Sequence, residues 1–391
     1  MSGLALQLKN VSIAGWIQVA AVLLVSMMGA AVTTLMPLLV GAYTDSGLFT
    51  TTQVGWLTSA EVAGILLTST SAYIWSRKVN WQIVTLLGLS TFIAANWFSM
   101  SATEFEYLFI LRALAGVACG ATYAISIAAL GDFPQSDKAF SGLVTIQVVF
   151  GTLGFWLLPN IISSEGLGGI FYFFNLCLLP ALIFSAVKFP VNSRVTERLT
   201  FKIDGSLKAA ILIFSGVVAY YFAQGTVWAY LERIGVNAGL SGAEIGSILG
   251  LGFAISAVGS LLSGLFVEKV GRNWGLYVTL IIQVPCLLVL FLMNNTNAFW
   301  IYAISTIIYQ VMWSFVIPIM MGIFNDIDKS GKLIVLCVAA FKVGLTIGPP
   351  VAAFVVTVSN VNNVIWLGLG GIALSILLCH LSAKDLQSNE R

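Results

Sequence analysis

Three ionisable side chains, Glu61, Arg112 and Lys342, lie inside long apolar stretches of this 391-residue sequence. A charge at the centre of a membrane helix costs about 2.5 to 3.5 kcal/mol on insertion scales, so such groups are normally paired or face a cavity. A buried carboxylate can carry a proton, and a buried base without a partner attracts an anion. These three residues therefore predict a site for proton coupling or conformational gating inside a membrane.

The composition identifies the environment of the three charges. Hydrophobic residues make up 59% of the chain and charged residues only 9%. A soluble protein of this size must cover its exterior with polar groups, so the composition predicts an integral membrane protein. The first apolar run is too long for a cleavable signal peptide, and we expect it to be a spanning helix.

Apolar runs near the ~20 residues that a helix needs to cross a bilayer recur along the chain. We predict twelve spanning segments, at 12–40, 53–75, 82–101, 107–131, 138–162, 168–188, 208–231, 242–267, 274–294, 297–325, 333–358 and 362–382. A polar break separates the sixth from the seventh. The predicted fold is all-α, with a six-helix bundle at 1–188, a linker at 189–207 and a second bundle at 208–391.

The basic residues predict the orientation. Most of the 18 lysines and arginines fall in the linker, in alternate loops and near the termini. Under the positive-inside rule these segments are cytoplasmic. We therefore expect a multi-pass protein of the inner (cytoplasmic) membrane with both termini in the cytoplasm. The net charge of +2 predicts no nucleic-acid partner. We expect a monomer whose partners are the lipid bilayer and a small-molecule substrate.

An internal repeat relates the two halves. The residues from Gln53 to Leu57 match those from Glu244 to Ile248 in a register of 191 residues, which also places Lys78 on Lys269. Parallel repeats of this kind are the plan of one class of secondary transporter.

The loop after the eighth segment carries a recognisable motif. It reads GLFVEKVGR and contains Gly264, Glu268, Lys269, Gly271 and Arg272. This pattern resembles the signature loop of the major facilitator superfamily, where it acts as a conformational latch between the bundles. In the fourth segment, Arg112 followed by Gly116 and Gly120 is similar to a second motif of that family. The corresponding N-terminal loop keeps Arg77 and Lys78 but lacks the acid and the glycines, so a second latch is not expected there.

The resemblance implies two bundles that rock around a central cavity, with helices two and eleven meeting between them. Glu61 and Lys342 then lie at matching depths, and we predict an ion pair between them that bridges the bundles. Local alternatives remain open: Glu61 bonding Thr58 or Ser59, Lys342 extending to the inner face, and Arg112 meeting outer headgroups.

Polar and aromatic side chains on the expected cavity helices are the candidate substrate contacts. Tyr221, Gln224 and Trp228 share one helix face at spacing i, i+3, i+7. The full set is Tyr123, Gln147, Tyr221, Gln224, Trp228, Tyr309, Gln310 and Trp313. Individually, each aromatic is also explained by packing or an interfacial belt. Prolines at 37, 318, 349 and 350 are candidate bends.

The predicted function is secondary active transport. No phosphate-binding glycine loop, catalytic set or metal cluster is present in the sequence, so neither cofactor nor metal is expected and a proton gradient is the predicted energy source. Arg112 and Lys342 outnumber Glu61, which favours a small organic anion or amphipathic solute. The alternatives are a proton-driven efflux pump for hydrophobic compounds, a receptor or scaffold that keeps the fold, and an intramembrane enzyme.

Overall fold

A computed structural model describes residues 13–133, 136–192, 206–327, 334–356 and 360–389, and within these ranges the chain is helical with no strands. The helices are α1 (Ile13–Thr34), α2 (Met36–Asp45), α3 (Thr51–Trp75), α4 (Trp81–Ser99), α5 (Phe105–Asp132), α6 (Ser136–Glu165), α7 (Leu167–Val187), α8 (Leu207–Asn237), α9 (Gly242–Val270), α10 (Arg272–Val289), α11 (Ala298–Ile327), α12 (Ile334–Val355) and α13 (Asn363–Asn389). Short 3₁₀ turns occur at Ser76–Lys78 and Leu290–Leu292.

The first predicted spanning segment consists of two helices. The chain breaks at Leu35, and α2 begins with Pro37 in its first turn. Proline has no amide hydrogen and disfavours helical geometry in the residue before it, which explains the break. In contrast, Pro318 lies inside α11, and Pro349 and Pro350 lie inside α12, without ending either helix.

The helices account for the twelve predicted crossings. Ten of those described are long and apolar enough to span a membrane. The 25-residue helix α3, which is rich in serine and threonine, and the shorter apolar helix α12 complete the set when α1 and α2 count as one crossing. The protein is therefore a multi-pass membrane protein, as its composition predicts.

The crossings divide into an N-terminal bundle, α1 to α7, and a C-terminal bundle, α8 to α13. Residues 193–205 of the predicted linker lie outside the described residues. We call the side where α7 ends and α8 begins the linker face, and the side that contains Asp45 the opposite face.

The internal repeat is visible in how α3 and α9 begin. Thr50 and Gln53 form a capping box at the start of α3, and Ser241 and Glu244 form another at the start of α9. These boxes occupy the same register of 191 residues. Each satisfies amide groups that the first turn of a helix leaves without partners. The two halves therefore share a local folding signal.

Equivalent glycines allow the bundles to meet. A Cβ at Gly55 on α3 would lie 2.6 Å from the Ala353 side chain on α12, and a Cβ at Gly246 on α9 would lie 2.3 Å from the Phe155 carbonyl on α6. Small residues let helix backbones approach closely. Both positions are near the opposite face, so the bundles are tightly packed there.

Ion pairs distinguish the two faces. Arg233 of the C-terminal bundle binds Asp45 of the N-terminal bundle at the opposite face, with Nη1–Oδ1 2.5 Å apart. At the linker face, Arg77 binds Asp132 and Lys208 binds Asp385. Both of those pairs join helices of the same bundle. Among the described residues, ion pairs therefore link the bundles only at the opposite face.

Candidate functional site

A cavity of about 320 Å³ lies between the two bundles near mid-height. Its walls come from α1, α5 and α6 on one side and from α8, α9, α11 and α12 on the other. The lining residues are Ala30, Thr33, Thr34, Tyr123, Gln147, Tyr221, Gln224, Trp228, Phe253, Tyr309, Gln310, Trp313, Phe341, Lys342 and Leu345. Aromatic rings with a few polar groups are typical of a pocket for an organic molecule.

Close helix packing brings the lining residues of α8 and α12 together. The backbones touch at Gly344, where a Cβ would lie 2.6 Å from the Phe222 amide nitrogen, and again at Gly348 against Gly225. Tyr221 and Phe341 then stack with ring centroids 4.2 Å apart. This packing holds Lys342, the residue after Phe341, at the cavity wall.

Contacts across the bundles complete the wall. The Trp228 indole nitrogen on α8 donates a hydrogen bond to the Thr33 carbonyl on α1, at 3.0 Å. On the N-terminal side, Gly29 leaves room for the Tyr123 ring, because a Cβ there would lie 2.1 Å from that ring. The two bundles thus contribute interlocking parts of one site.

Lys342 is the only charged residue among those that line the cavity. Its Nζ lies 6.0 Å from the centroid of the Tyr123 ring, across the boundary between the bundles. No ion pair among the described residues involves it. A desolvated cation near an aromatic face gains about 2 kcal/mol or more, which is less than the several kcal/mol that burying an ion costs.

The prediction that Glu61 pairs with Lys342 is wrong, because Glu61 pairs with Arg112. Arg112 Nη1 lies 3.5 Å from Glu61 Oε2, and both side chains are fully buried. The guanidinium also donates to Asn96 at 2.9 Å and to Ser99 at 2.7 Å, and it lies over the Phe171 ring. Arg112 therefore does not reach the headgroups, and the pair lies inside the N-terminal bundle.

The error has a geometric cause. Depth along a helix was available from the sequence, but the direction around the helix was not. Gly55 faces α12, and Glu61 is six residues further, roughly 120° away at 3.6 residues per turn. Glu61 instead shares a face with Gly64, and both contact α5 near Ala113 and Gly116.

All eight residues predicted as substrate contacts line this same cavity. The sequence did not identify Thr33, Phe253 or Phe341 among them. The resemblance already placed the first helix at the cavity, which was a signal for Thr33. Phe341 adjoins Lys342 in the sequence, whereas nothing distinguished Phe253 from the other apolar residues of its helix.

The sequence did not predict a cluster of two carboxylates and one arginine at the opposite face. Arg233 follows the predicted seventh segment in the sequence, lies in the last turns of α8 and contacts two carboxylates. Its Nη2 donates to Glu232 at 2.6 Å and to Asp45 at 2.9 Å. Gly41 on α2 faces the same carboxylate, since a Cβ there would lie 2.6 Å from Glu232 Oε2. The cluster spans the boundary between the bundles, one turn along α8 from the cavity residue Trp228.

Comparison with known proteins supplies the family. The sequence profile of the Major Facilitator Superfamily matches residues 19–327 and 213–389. The chain belongs to the Major Facilitator Superfamily. It is a membrane transporter of that family with twelve spanning helices in two bundles.

A sequence relative and several solved structures are similar to this chain, and the solved structures agree with its fold. The chain is 24% identical over 313 residues to the uncharacterized MFS-type transporter YceJ of Bacillus subtilis (strain 168), covering 77% of this chain and 79% of that protein. The crystal structure of the nucleoside transporter NupG matches with a TM-score of 0.72 at 13% identity, over 94% of this chain and 98% of that one. The crystal structure of a D-xylose-proton symporter matches with a TM-score of 0.72 at 14% identity, over 93% of this chain and 96% of that one.

The signature loop of this Major Facilitator Superfamily transporter is well defined at its glycine hinge. Gly271 has φ +90°, a conformation that favours glycine, and it separates α9 from α10. Arg272 packs against Gly322 on α11, where a Cβ would meet its Nε at 2.7 Å. Glu268 and Lys269 are exposed. A Cβ at Gly264 would meet none of the described residues within 4 Å, so no neighbouring helix packs closely against it in this structure.

The corresponding N-terminal loop obtains its acid from another helix. Arg77 donates to both carboxylate oxygens of Asp132, at the end of α5, at 2.5 and 3.0 Å. It also bonds Asn192 at 3.0 Å and lies over the Trp81 ring. The missing acid in the loop sequence is therefore replaced by a residue more than fifty positions away, which no local motif could reveal.

Proposed function

We propose that this transporter moves a small organic anion by alternating access of the two bundles, with proton coupling. One observation carries the substrate class: Lys342 is the only charged group at the cavity wall, and no ion pair among the described residues neutralises it. A desolvated cation without a partner is costly, and a bound anion removes that cost. Arg112 is neutralised by Glu61, so Lys342 is the buried base that remains to attract an anion.

The rest of the cavity supports an organic substrate. Tyr123, Gln147, Tyr221, Gln224, Trp228, Tyr309, Gln310 and Trp313 are the proposed contacts, with Phe253 and Phe341 added by the structure. Aromatic surfaces contribute apolar contact area, and the amides fix orientation. A bare inorganic ion would leave these groups unused.

We infer that the structure is the inward-facing state. If the linker face is cytoplasmic, as the basic residues predict, the bundles are closed toward the outside and joined there by Arg233 and Asp45. In the signature loop, Glu268 and Lys269 are exposed. This is consistent with a state in which the loop does not hold the two bundles together. In the same assignment the protein is a monomer of the inner membrane with both termini inside.

The first prediction concerns this outer closure. Arg233→Ala should raise the population of the outward-open state several-fold, a modest effect because Asp45 is 59% exposed and water screens the pair. A cysteine introduced at Thr34, in a variant without the native cysteines, should then react faster with a membrane-impermeant thiol reagent from outside. The matched control is Lys208→Ala, which breaks an ion pair within one bundle and should leave the rate unchanged.

Two buried carboxylates are candidates for the proton carrier. The sequence predicts Glu61, which lies inside one bundle with its partner Arg112. Protonation shifts a conformational equilibrium only if its free energy differs between the states. Glu232 meets that condition more directly, because Arg233 beside it binds Asp45 of the other bundle. We therefore favour Glu232 as the proton carrier. It belongs to a cluster in which one base, Arg233, contacts two acids, Glu232 and Asp45.

The second prediction separates the two carboxylates. Glu232→Gln should abolish substrate-driven proton movement while leaving exchange of substrate across the membrane intact, because exchange requires no net proton transfer. Glu61→Gln should retain coupled movement. A pH dye inside proteoliposomes measures the first quantity and labelled substrate the second. The reverse pattern would return the role to Glu61.

The proposed function is tested by proton movement in proteoliposomes. Wild type is challenged with a panel of organic anions and a panel of lipophilic cations, with a pH dye inside. Organic anions should drive proton flux, and Lys342→Ala should lose it. Flux driven by lipophilic cations and unaffected by that substitution would instead identify an efflux pump for hydrophobic compounds, which the aromatic lining also suits.

A further inference from the structure

Gln310 lies in the cavity wall with an amide group that has no partner. The side chain is 3% exposed, and neither Nε2 nor Oε1 makes a hydrogen bond within the described residues. Buried polar groups in proteins are nearly always paired, so an exception needs an explanation. At the wall of a binding cavity, a bound molecule is the natural partner.

The fold makes room for this amide. Gly252 on α9 faces it, and a Cβ at that position would lie 2.4 Å from Gln310 Nε2. Any larger residue at 252 would displace the amide. Gln283, a second buried glutamine of the same bundle, provides a contrast, because its amide bonds the Tyr220 hydroxyl at 3.0 Å and the Tyr309 carbonyl at 3.2 Å. Gln224, a third buried glutamine of this bundle and also at the cavity, lacks a partner among the described residues for Nε2 alone, whereas Gln310 lacks one for both amide atoms.

We propose that the transported anion contains an amide group whose N–H donates a hydrogen bond to Gln310 Oε1 while Lys342 holds the negative charge. The inference rests on the proposed function and narrows its substrate class. Gln310 offers an acceptor at Oε1 and donors at Nε2. In a trans secondary amide the N–H and C=O point in opposite directions, so the ligand N–H pairs with Oε1 alone. The stacked pair of Tyr221 and Phe341 provides an apolar surface for the rest of the molecule.

Such a site discriminates strongly against close analogues. Replacing the ligand N–H by CH₂ keeps size and charge but leaves Gln310 Oε1 without a partner. Sites built to pair with a ligand N–H or O–H reject analogues that lack it, because the buried group of the protein stays unsatisfied. One such loss corresponds to roughly a tenfold weaker affinity.

The test uses two matched pairs of carboxylates that differ only in that atom: hippurate against 3-benzoylpropionate, and N-acetylglycinate against levulinate. Equilibrium binding to the purified full-length protein is followed by the fluorescence of its tryptophans, two of which line the cavity. The amide of at least one pair should bind about tenfold more tightly than its ketone isostere.

Variants locate the effect. Gln310→Leu should reduce the preference to near unity, and Gly252→Ala should do so while keeping the glutamine, which guards against simple misfolding of the first variant. Gln82→Leu, in the other bundle, should preserve it.

The outcomes separate the inference from the proposed function. If the carboxylates bind and lose affinity in Lys342→Ala, but neither amide is preferred, the inference is wrong and the anion proposal stands. A preference that survives both Gln310→Leu and Gly252→Ala also overturns it. If no carboxylate binds to wild type, both proposals fail.

Discussion

Replacing Lys342 by alanine is expected to lower the affinity for the transported anion by ten- to a hundredfold. Under the proposed function, the substitution removes a charge-assisted hydrogen bond from Lys342 to the anion, and such a bond contributes about 1.5 to 3 kcal/mol. Because Lys342 is the only charged residue at the wall in the described part of the chain, none of the other described lining residues can replace its charge. The measurement is the concentration dependence of anion uptake into proteoliposomes.

Two further variants define the cause. Lys342→Arg should retain much of the uptake, since it preserves the charge, whereas Lys342→Gln should resemble alanine. Equal loss in the arginine and alanine variants would mean that shape rather than charge is required at this position. Retention of wild-type affinity by alanine would remove the main argument for an anionic substrate.

Replacing Arg112 by alanine is expected to destabilise the fold more than any other single change considered. Removing one partner of a buried ion pair costs about 3 to 5 kcal/mol, because it leaves an uncompensated charge. Here the charge is that of Glu61, which is 2% exposed, and Asn96 and Ser99 lose a donor as well. The change is measured as a lowered melting temperature in detergent.

The double variant isolates the contribution of the charge. Glu61→Gln combined with Arg112→Ala should be more stable than Arg112→Ala alone, because glutamine carries no charge to be left unpaired. If the double variant is no more stable than the single one, the destabilisation comes from lost packing against Phe171 and lost hydrogen bonds to Asn96 and Ser99, and not from the charge.

Much of the site was predictable from the sequence because helical periodicity and depth are local properties. Residues such as Tyr221, Gln224 and Trp228 share a face at fixed spacing, and the resemblance supplied which helices face the centre. The placement of Lys342 near mid-height likewise follows from counting residues along a helix.

The contacts that were wrong or missed depend on rotation around helix axes and on distant parts of the chain. Glu61 faces α5 and not α12, because its side chain leaves α3 in a direction roughly 120° from that of Gly55. The pairing of Arg77 with Asp132, and of Arg233 with Asp45, joins segments far apart in sequence. Without related sequences whose changes are correlated, a single chain does not indicate such pairs.

The glycines illustrate the same limit. Gly271 follows from its motif because its positive φ is a local requirement. Gly264 belongs to the same motif, yet no described residue lies within 4 Å of its Cβ position. Gly252 belongs to no motif, and it faces Gln310. The packing of a neighbouring helix decides which glycines are needed.

The central claim is that Lys342 recognises negative charge in the cavity, and binding of a charged ligand and its neutral amide tests it most directly. For a carboxylate that wild type transports, affinity is measured alongside that of the corresponding primary carboxamide, in wild type and in Lys342→Ala. We predict that wild type prefers the carboxylate by at least tenfold and that the variant loses this preference while binding the carboxamide as before. An undiminished preference in Lys342→Ala would contradict the account, because the charge would then be recognised elsewhere.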